Sequence, residues 1–186
     1  MKASLRFLPF AVLALATLFT ACTTEDDDNR PLAVEMPISW KARQLDADNG
    51  ATSFFAPTNG TSYRATDSLN FVANKVDISL AITDSARLVS LSVRRVNNIK
   101  PVIRVSRATS FLRTDKTKAD FDTVTNKGIR GLTVPAGKNI IPVLQGIVYA
   151  FTTADTRRGW LYVTALKNSA SGQANGAMTF DVKYEK

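Results

Sequence analysis

The stretch Met178-Thr179-Phe180-Asp181-Val182-Lys183-Tyr184-Glu185 alternates apolar and polar residues at every step. A period of two marks a strand with one face in a core and the other toward solvent. The segment therefore predicts a half-buried β-strand, and it sets the reading of the rest. The same alternation recurs in Val76, Ile78, Leu80 and Ile82 against Asp77, Ser79, Ala81 and Thr83, and in Val89, Leu91 and Val93 against Ser90, Ser92 and Arg94. The polar connection Thr83-Asp84-Ser85-Ala86 makes these two strands a hairpin or a crossing between sheets. Residues 38–42, 69–73, 102–106, 131–134, 140–151 and 160–166 are further strand candidates. No segment shows helical periodicity.

About nine short β segments, separated by Gly, Pro, Asn and Asp turns, predict an all-β chain. One-faced sheets must pair to bury their apolar sides, so the expected architecture is an antiparallel β-sandwich. An immunoglobulin-like arrangement leads, with a jelly roll or a small barrel as alternatives, because alternation looks the same in all three. The longest polar connection runs from Arg107 to Arg130, a length that loop statistics associate with function or disorder.

The N-terminus reads differently. Lys2 and Arg6 precede an apolar run over residues 7–21, and Leu18-Phe19-Thr20-Ala21-Cys22 follows the pattern of a lipoprotein export signal. Those fifteen residues fall short of the ~20 that a bilayer core needs, and Pro9 would disturb a packed helix. Cys22 is the only cysteine in the chain, and its thiolate would take up the lipid before cleavage. Several acyl chains, each contributing about 0.8 kcal/mol per CH₂, would then anchor the protein to a membrane without spanning it. The expected organisation is a signal peptide at 1–21, a lipidated cysteine with a flexible acidic tether at 22–36, and one sandwich domain at 37–186.

The sequence Cys22-Thr23-Thr24-Glu25-Asp26-Asp27-Asp28 resembles the mature N-terminus of surface-exported lipoproteins of the Bacteroidota type. The resemblance covers only the tether. It implies that Glu25, Asp26, Asp27 and Asp28 act as a signal for transfer to the outer face of the outer membrane, and it says nothing of the domain's activity.

Charge is uneven. Of 24 lysines and arginines, twelve lie between positions 87 and 138, against Asp115, Asp120 and Asp122. Guanidinium groups bind carboxylate, sulfate and phosphate bidentately, so Arg94, Arg104, Arg107 and Arg113 form a candidate binding face for an acidic polysaccharide, lipopolysaccharide phosphates or another, acidic envelope protein. The plain alternative is a surface whose charges only keep the protein soluble. Nucleic acid is not an expected partner, because no aromatic residues interleave with the charges.

The absence of histidine removes Ser-His and Cys-His nucleophile systems, His-ligated zinc and the commonest general base. Ala136-Gly137-Lys138 lacks the upstream glycine of a phosphate loop and reads as a β-turn. Asp120 and Asp122, two apart on a strand, would lie on one face roughly 7 Å apart, a separation suited to a glycosidase acid and base. Neither sits in an apolar run that would tune it, so a solvated loop is the preferred reading. Asp46-Ala47-Asp48-Asn49-Gly50 is one residue short of a calcium loop and reads as a turn. Trp40 and Trp160 fit core positions better than a sugar platform. No catalytic residue, metal or cofactor is expected. The leading expectation is a non-catalytic, surface-anchored binding or adhesion module. An accessory subunit of an outer-membrane assembly comes second, and a glycan hydrolase using Asp120 and Asp122 third.

Overall fold

The computed structural model describes residues 34–46, 53–82, 85–92, 107–167 and 176–186. The strand expected at 102–106 lies outside them, as do Cys22, Glu25, Asp26, Asp27, Asp28, Arg94 and Arg104. Residues Val34–Lys186 form a compact unit of their own.

The described residues of the unit form ten strands: β1 (Ile38–Asp46), β2 (Phe54–Ala56), β3 (Thr61–Tyr63), β4 (Ile78–Ile82), β5 (Ala86–Ser90), β6 (Ser110–Arg113), β7 (Ile140–Pro142), β8 (Val148–Thr152), β9 (Arg158–Lys167) and β10 (Ala177–Tyr184). Two helices, α1 (Lys118–Thr123) and α2 (Asn126–Gly131), lie between β6 and β7. The first sheet runs β1-β10-β9-β8-β6 and the second β3-β2-β4-β5-β7, with every pairing antiparallel. The described strands form two sheets and no closed barrel, so the chain is an all-β sandwich.

The alternation explains the core. Met178, Phe180, Val182 and Tyr184 of β10 point inward beside Leu161 and Val163 of β9 and Tyr149 and Phe151 of β8. They meet Phe55, Ile78, Leu80, Ala86 and Leu88 of the second sheet. The Phe55 ring stands edge-on to that of Phe180, 5.1 Å between centroids, an arrangement that the aromatic quadrupole favours.

β8 is apolar on both faces, and the outward one has its own cover. Val148, Ala150, Trp160 and Tyr162 lie under Phe121, Val124, Ile129 and Leu132 from the helical segment. Thr117 caps α1 through a reciprocal box with Asp120, and Thr125 caps α2 by accepting from the Gly128 N–H. The expectation of an all-strand chain is corrected here: six-residue helices are too short to display a 3.6-residue period, although Thr117-x-x-Asp120 is a helix-start signal.

Two expected strands are absent for similar reasons. Residues 69–73 belong to the end of a 3-10 helix (Ala65–Asn70) and the turns after it, where the Asn74 N–H and side-chain amide both donate to the Asn70 carbonyl. Phe71 drops from this segment onto Phe54 in a satellite core. Residues 131–134 begin as the last residue of α2, and the Leu132 N–H closes that helix onto Ile129. The apolar run 140–151 is two strands in different sheets, parted at Gly146, whose φ of +79° is a left-handed conformation suited to glycine.

The edge strand β1 is held by its tryptophan. Trp40 donates its indole N–H to the Pro57 carbonyl at 2.9 Å and lies flat against Gly60, which has a φ of +68°. A side chain at Gly60 would meet the indole and would also be strained in that conformation. Gly60→Ala is therefore expected to destabilise the protein by about 2–3 kcal/mol in urea unfolding; an unchanged midpoint would contradict this seating of Trp40.

Candidate functional site

Charged side chains gather where the two sheets meet at one end of the sandwich. Asp77, immediately before β4, falls on the polar side of its alternation, yet its side chain is fully buried. Its partner is Arg107, at the approach to β6 and 13% exposed. Arg107 Nε donates to Asp77 Oδ1 at 2.9 Å and Nη2 to Oδ2 at 3.2 Å. From the other side, Asp155 in the β8–β9 turn accepts from Nη1 at 3.3 Å and Nη2 at 3.0 Å. Lys75 Nζ completes the row, 3.3 Å from Asp155.

The local backbone fixes this geometry. The Arg107 carbonyl accepts from the Ser92 N–H and the Ser90 hydroxyl, both at 3.1 Å. The Ser90 hydroxyl oxygen in turn accepts from the Thr109 N–H at 2.8 Å, and the Thr109 hydroxyl donates to the Asp77 carbonyl at 2.9 Å. Burial pushes the Asp77 carboxyl above its ordinary value against the opposing pull of Arg107. Asp155 is held below the usual range by its hydrogen bonds to Arg107 and, more weakly, by Lys75. A guanidinium that makes four hydrogen bonds to two carboxylates is satisfied within the fold. Arg107, read from sequence as part of a binding face, works here as a tie between sheets.

The other candidates fall in separate places. Arg113 ends β6 with its side chain exposed. Asp120 and Asp122 stand on a helix instead of a strand, so two positions apart they point about 200° away from each other. Asp120 accepts from the N–H and hydroxyl of Thr117, each at 2.8 Å, and the Thr117 backbone bond holds its carboxyl below the ordinary value. Asp122 pairs with Lys118, and its carbonyl accepts from Lys183 Nζ. The shared face and ~7 Å separation expected on a strand are therefore not formed.

Trp160 is 4% exposed beneath the helices, and Trp40 is occupied as described above. Asp46 ends β1, where its side chain accepts from Gln44 Nε2 and its carbonyl from the Ser53 hydroxyl; residues 47–50 of the calcium-like stretch lie outside the described residues. Among the described residues no three acidic or cysteine side chains gather as a metal site would require. A second ionic tie was not readable from sequence. Glu185 accepts from Arg130 Nε at 3.0 Å and from the Arg158 N–H at 2.8 Å, and this joins α2 to β9 and β10.

Compared with family models, with curated proteins and with solved structures, the chain matches none.

Asp155 gives the tie a pH signature. Its folded value lies below the unfolded value near 3.9, so its contribution is complete above about pH 4 and is lost as the pH falls through the lower folded value. Asp155→Asn should remove part of the acid-limb loss of stability expected for the parent below about pH 4, measured as urea midpoints across the acid range. Superimposable acid limbs would contradict the pairing.

Proposed function

We propose that this chain is an exported lipoprotein, anchored to a membrane through lipid on Cys22, whose sandwich acts as a non-catalytic binding or adhesion module on the outer surface of an outer membrane. The observation that carries the anchoring is sequential: an export-type apolar run ends on the chain's only cysteine, and Glu25 to Asp28 follow. A binding role draws support from the excess of cations in the middle of the chain, of which Arg113 stands exposed. The partner class that such cations favour is an acidic polysaccharide or another envelope protein.

A second reading, an accessory subunit of an outer-membrane assembly, is favoured by one observation. Ile140 and Leu144, at the edge of the second sheet, are 50% and 48% exposed, and exposed aliphatic side chains at an edge offer an assembly contact.

Cys22→Ala is expected to leave a larger precursor that takes up no fatty-acid label in the native host. Equal label in parent and variant would end the lipoprotein reading. Replacing Glu25, Asp26, Asp27 and Asp28 by alanine should keep the label but shield the protein from protease added to intact cells; unchanged cleavage would remove the export role of the acidic run.

A further inference from the structure

The corner where β6 and β7 meet carries exposed aliphatic side chains beside exposed cations. From position 138 to 144 exposure alternates: Lys138, Ile140, Pro142 and Leu144 face outward, while Asn139, Ile141 and Val143 turn in. The inward set is firmly held. Asn139 donates its amide to the Thr109 carbonyl at 2.8 Å and accepts the Ser90 N–H at 2.8 Å, and Val143 enters the main core. The outward set is therefore a rigid stripe.

Cations flank it. Cross-strand partners share a sheet face, and Arg87 is the partner of Pro142. Lys138 begins the stripe, and its carbonyl accepts the Phe111 N–H of β6 at 2.8 Å. Arg113, on β6, places its charge near the Tyr149 hydroxyl, which accepts the Leu144 N–H at 2.9 Å. Arg87, Arg113 and Lys138 are all exposed, and among the described residues none of them forms an ion pair. Strands β4 to β7 contain no acidic residue, and the chain has none from 123 to 154.

We propose that Arg87, Arg113 and Lys138 with Ile140, Pro142 and Leu144 form a docking surface for an anionic lipid bilayer. Two features decide for a bilayer over a soluble polyanion. Exposed aliphatic side chains give a sugar chain no stacking surface, whereas a lipid interface accepts hydrocarbon below its headgroups and cations at them. The second feature is reach, and for its biological setting the proposal rests on the anchored reading above. Cys22 lies twelve positions before Val34, so the tether spans at most about 40 Å, which makes a weak surface contact effectively intramolecular.

The test uses the unlipidated chain 22–186 carrying Cys22→Ser, sedimented with phosphatidylcholine vesicles with and without phosphatidylglycerol. The protein should pellet with the anionic vesicles alone, and less so as salt is raised. Arg87→Glu, Arg113→Glu and Lys138→Glu should each lower partitioning by about fivefold or more, and Ile140→Ser with Leu144→Ser by about fivefold at unchanged charge. Lys138 lies outside the strands, so Lys138→Glu tests the surface even where a strand variant fails to fold. Three results would overturn the proposal: no binding of the parent to anionic vesicles, undiminished binding of Lys138→Glu, or binding of polygalacturonate through these cations with the vesicles left bare. The fatty-acid labelling of Cys22 is read independently, so failure of the anchor and failure of this surface are separate results.

Discussion

The sandwich turns on one guanidinium. Arg107 binds the buried carboxylate of Asp77 on one side and Asp155 on the other, and these three residues come from the approaches to β4 and β6 and from the β8–β9 turn. Apolar burial between the sheets is non-directional and sets no register by itself. The charged tie is directional. A carboxylate removed from water is tolerable only with its partner in place, and breaking such a pair typically costs about 3–5 kcal/mol. The position of Arg107 therefore fixes how the second sheet meets the first at this end. Asn139 does the same with neutral bonds at the β6–β7 corner, where it joins Ser90 of β5 to Thr109 before β6.

This division of labour decides which surfaces are free. The outward face of the first sheet is sealed by α1 and α2 over Trp160. The outward face of the second is partly sealed by Phe71 and Val76 over Phe54. β1, at the edge, is tied to the β2–β3 hairpin by Trp40 and by the Ser62 hydroxyl, which donates to the Gln44 carbonyl. Among the described residues the stripe along β7 stays exposed and its cations form no ion pair, and Pro142 there offers no N–H to a further strand, a common protection of sheet edges.

The parts of this fold legible in the sequence are those with enough residues to show a period. β4 and β10 alternate over five residues or more and read directly, whereas β9 reads as an apolar run, and of the strand expected from Val89 to Val93 only Val89 and Ser90 belong to β5, whose core residues are Ala86 and Leu88. β2, β3 and β7 have three residues each and β6 has four, too few to distinguish alternation from chance. The helices hid for the same reason. β8 was legible as apolar, but its two buried faces depend on a helical cover some twenty to thirty residues upstream. The tie itself was beyond reach: Asp77 occupies a position that alternation assigns to solvent, and its partner is thirty residues away. Burial of a polar residue against a distant charge is decided by tertiary placement, and no local pattern carries it. Asp120 and Asp122, read by preference as a solvated loop and only second as a pair on a strand, stand on a short helix, where the same spacing separates them.

The most direct test of the account is a double-mutant cycle on Asp77 and Arg107. Asp77→Asn, Arg107→Met and the double variant would be compared with the parent by urea unfolding near neutral pH. If the tie fixes the sandwich, each single change is costly, and the pair together costs less than the sum by at least about 1.5 kcal/mol. Effects that add to within about 0.5 kcal/mol would show that the two residues act independently, and the tie would lose its central place in this fold.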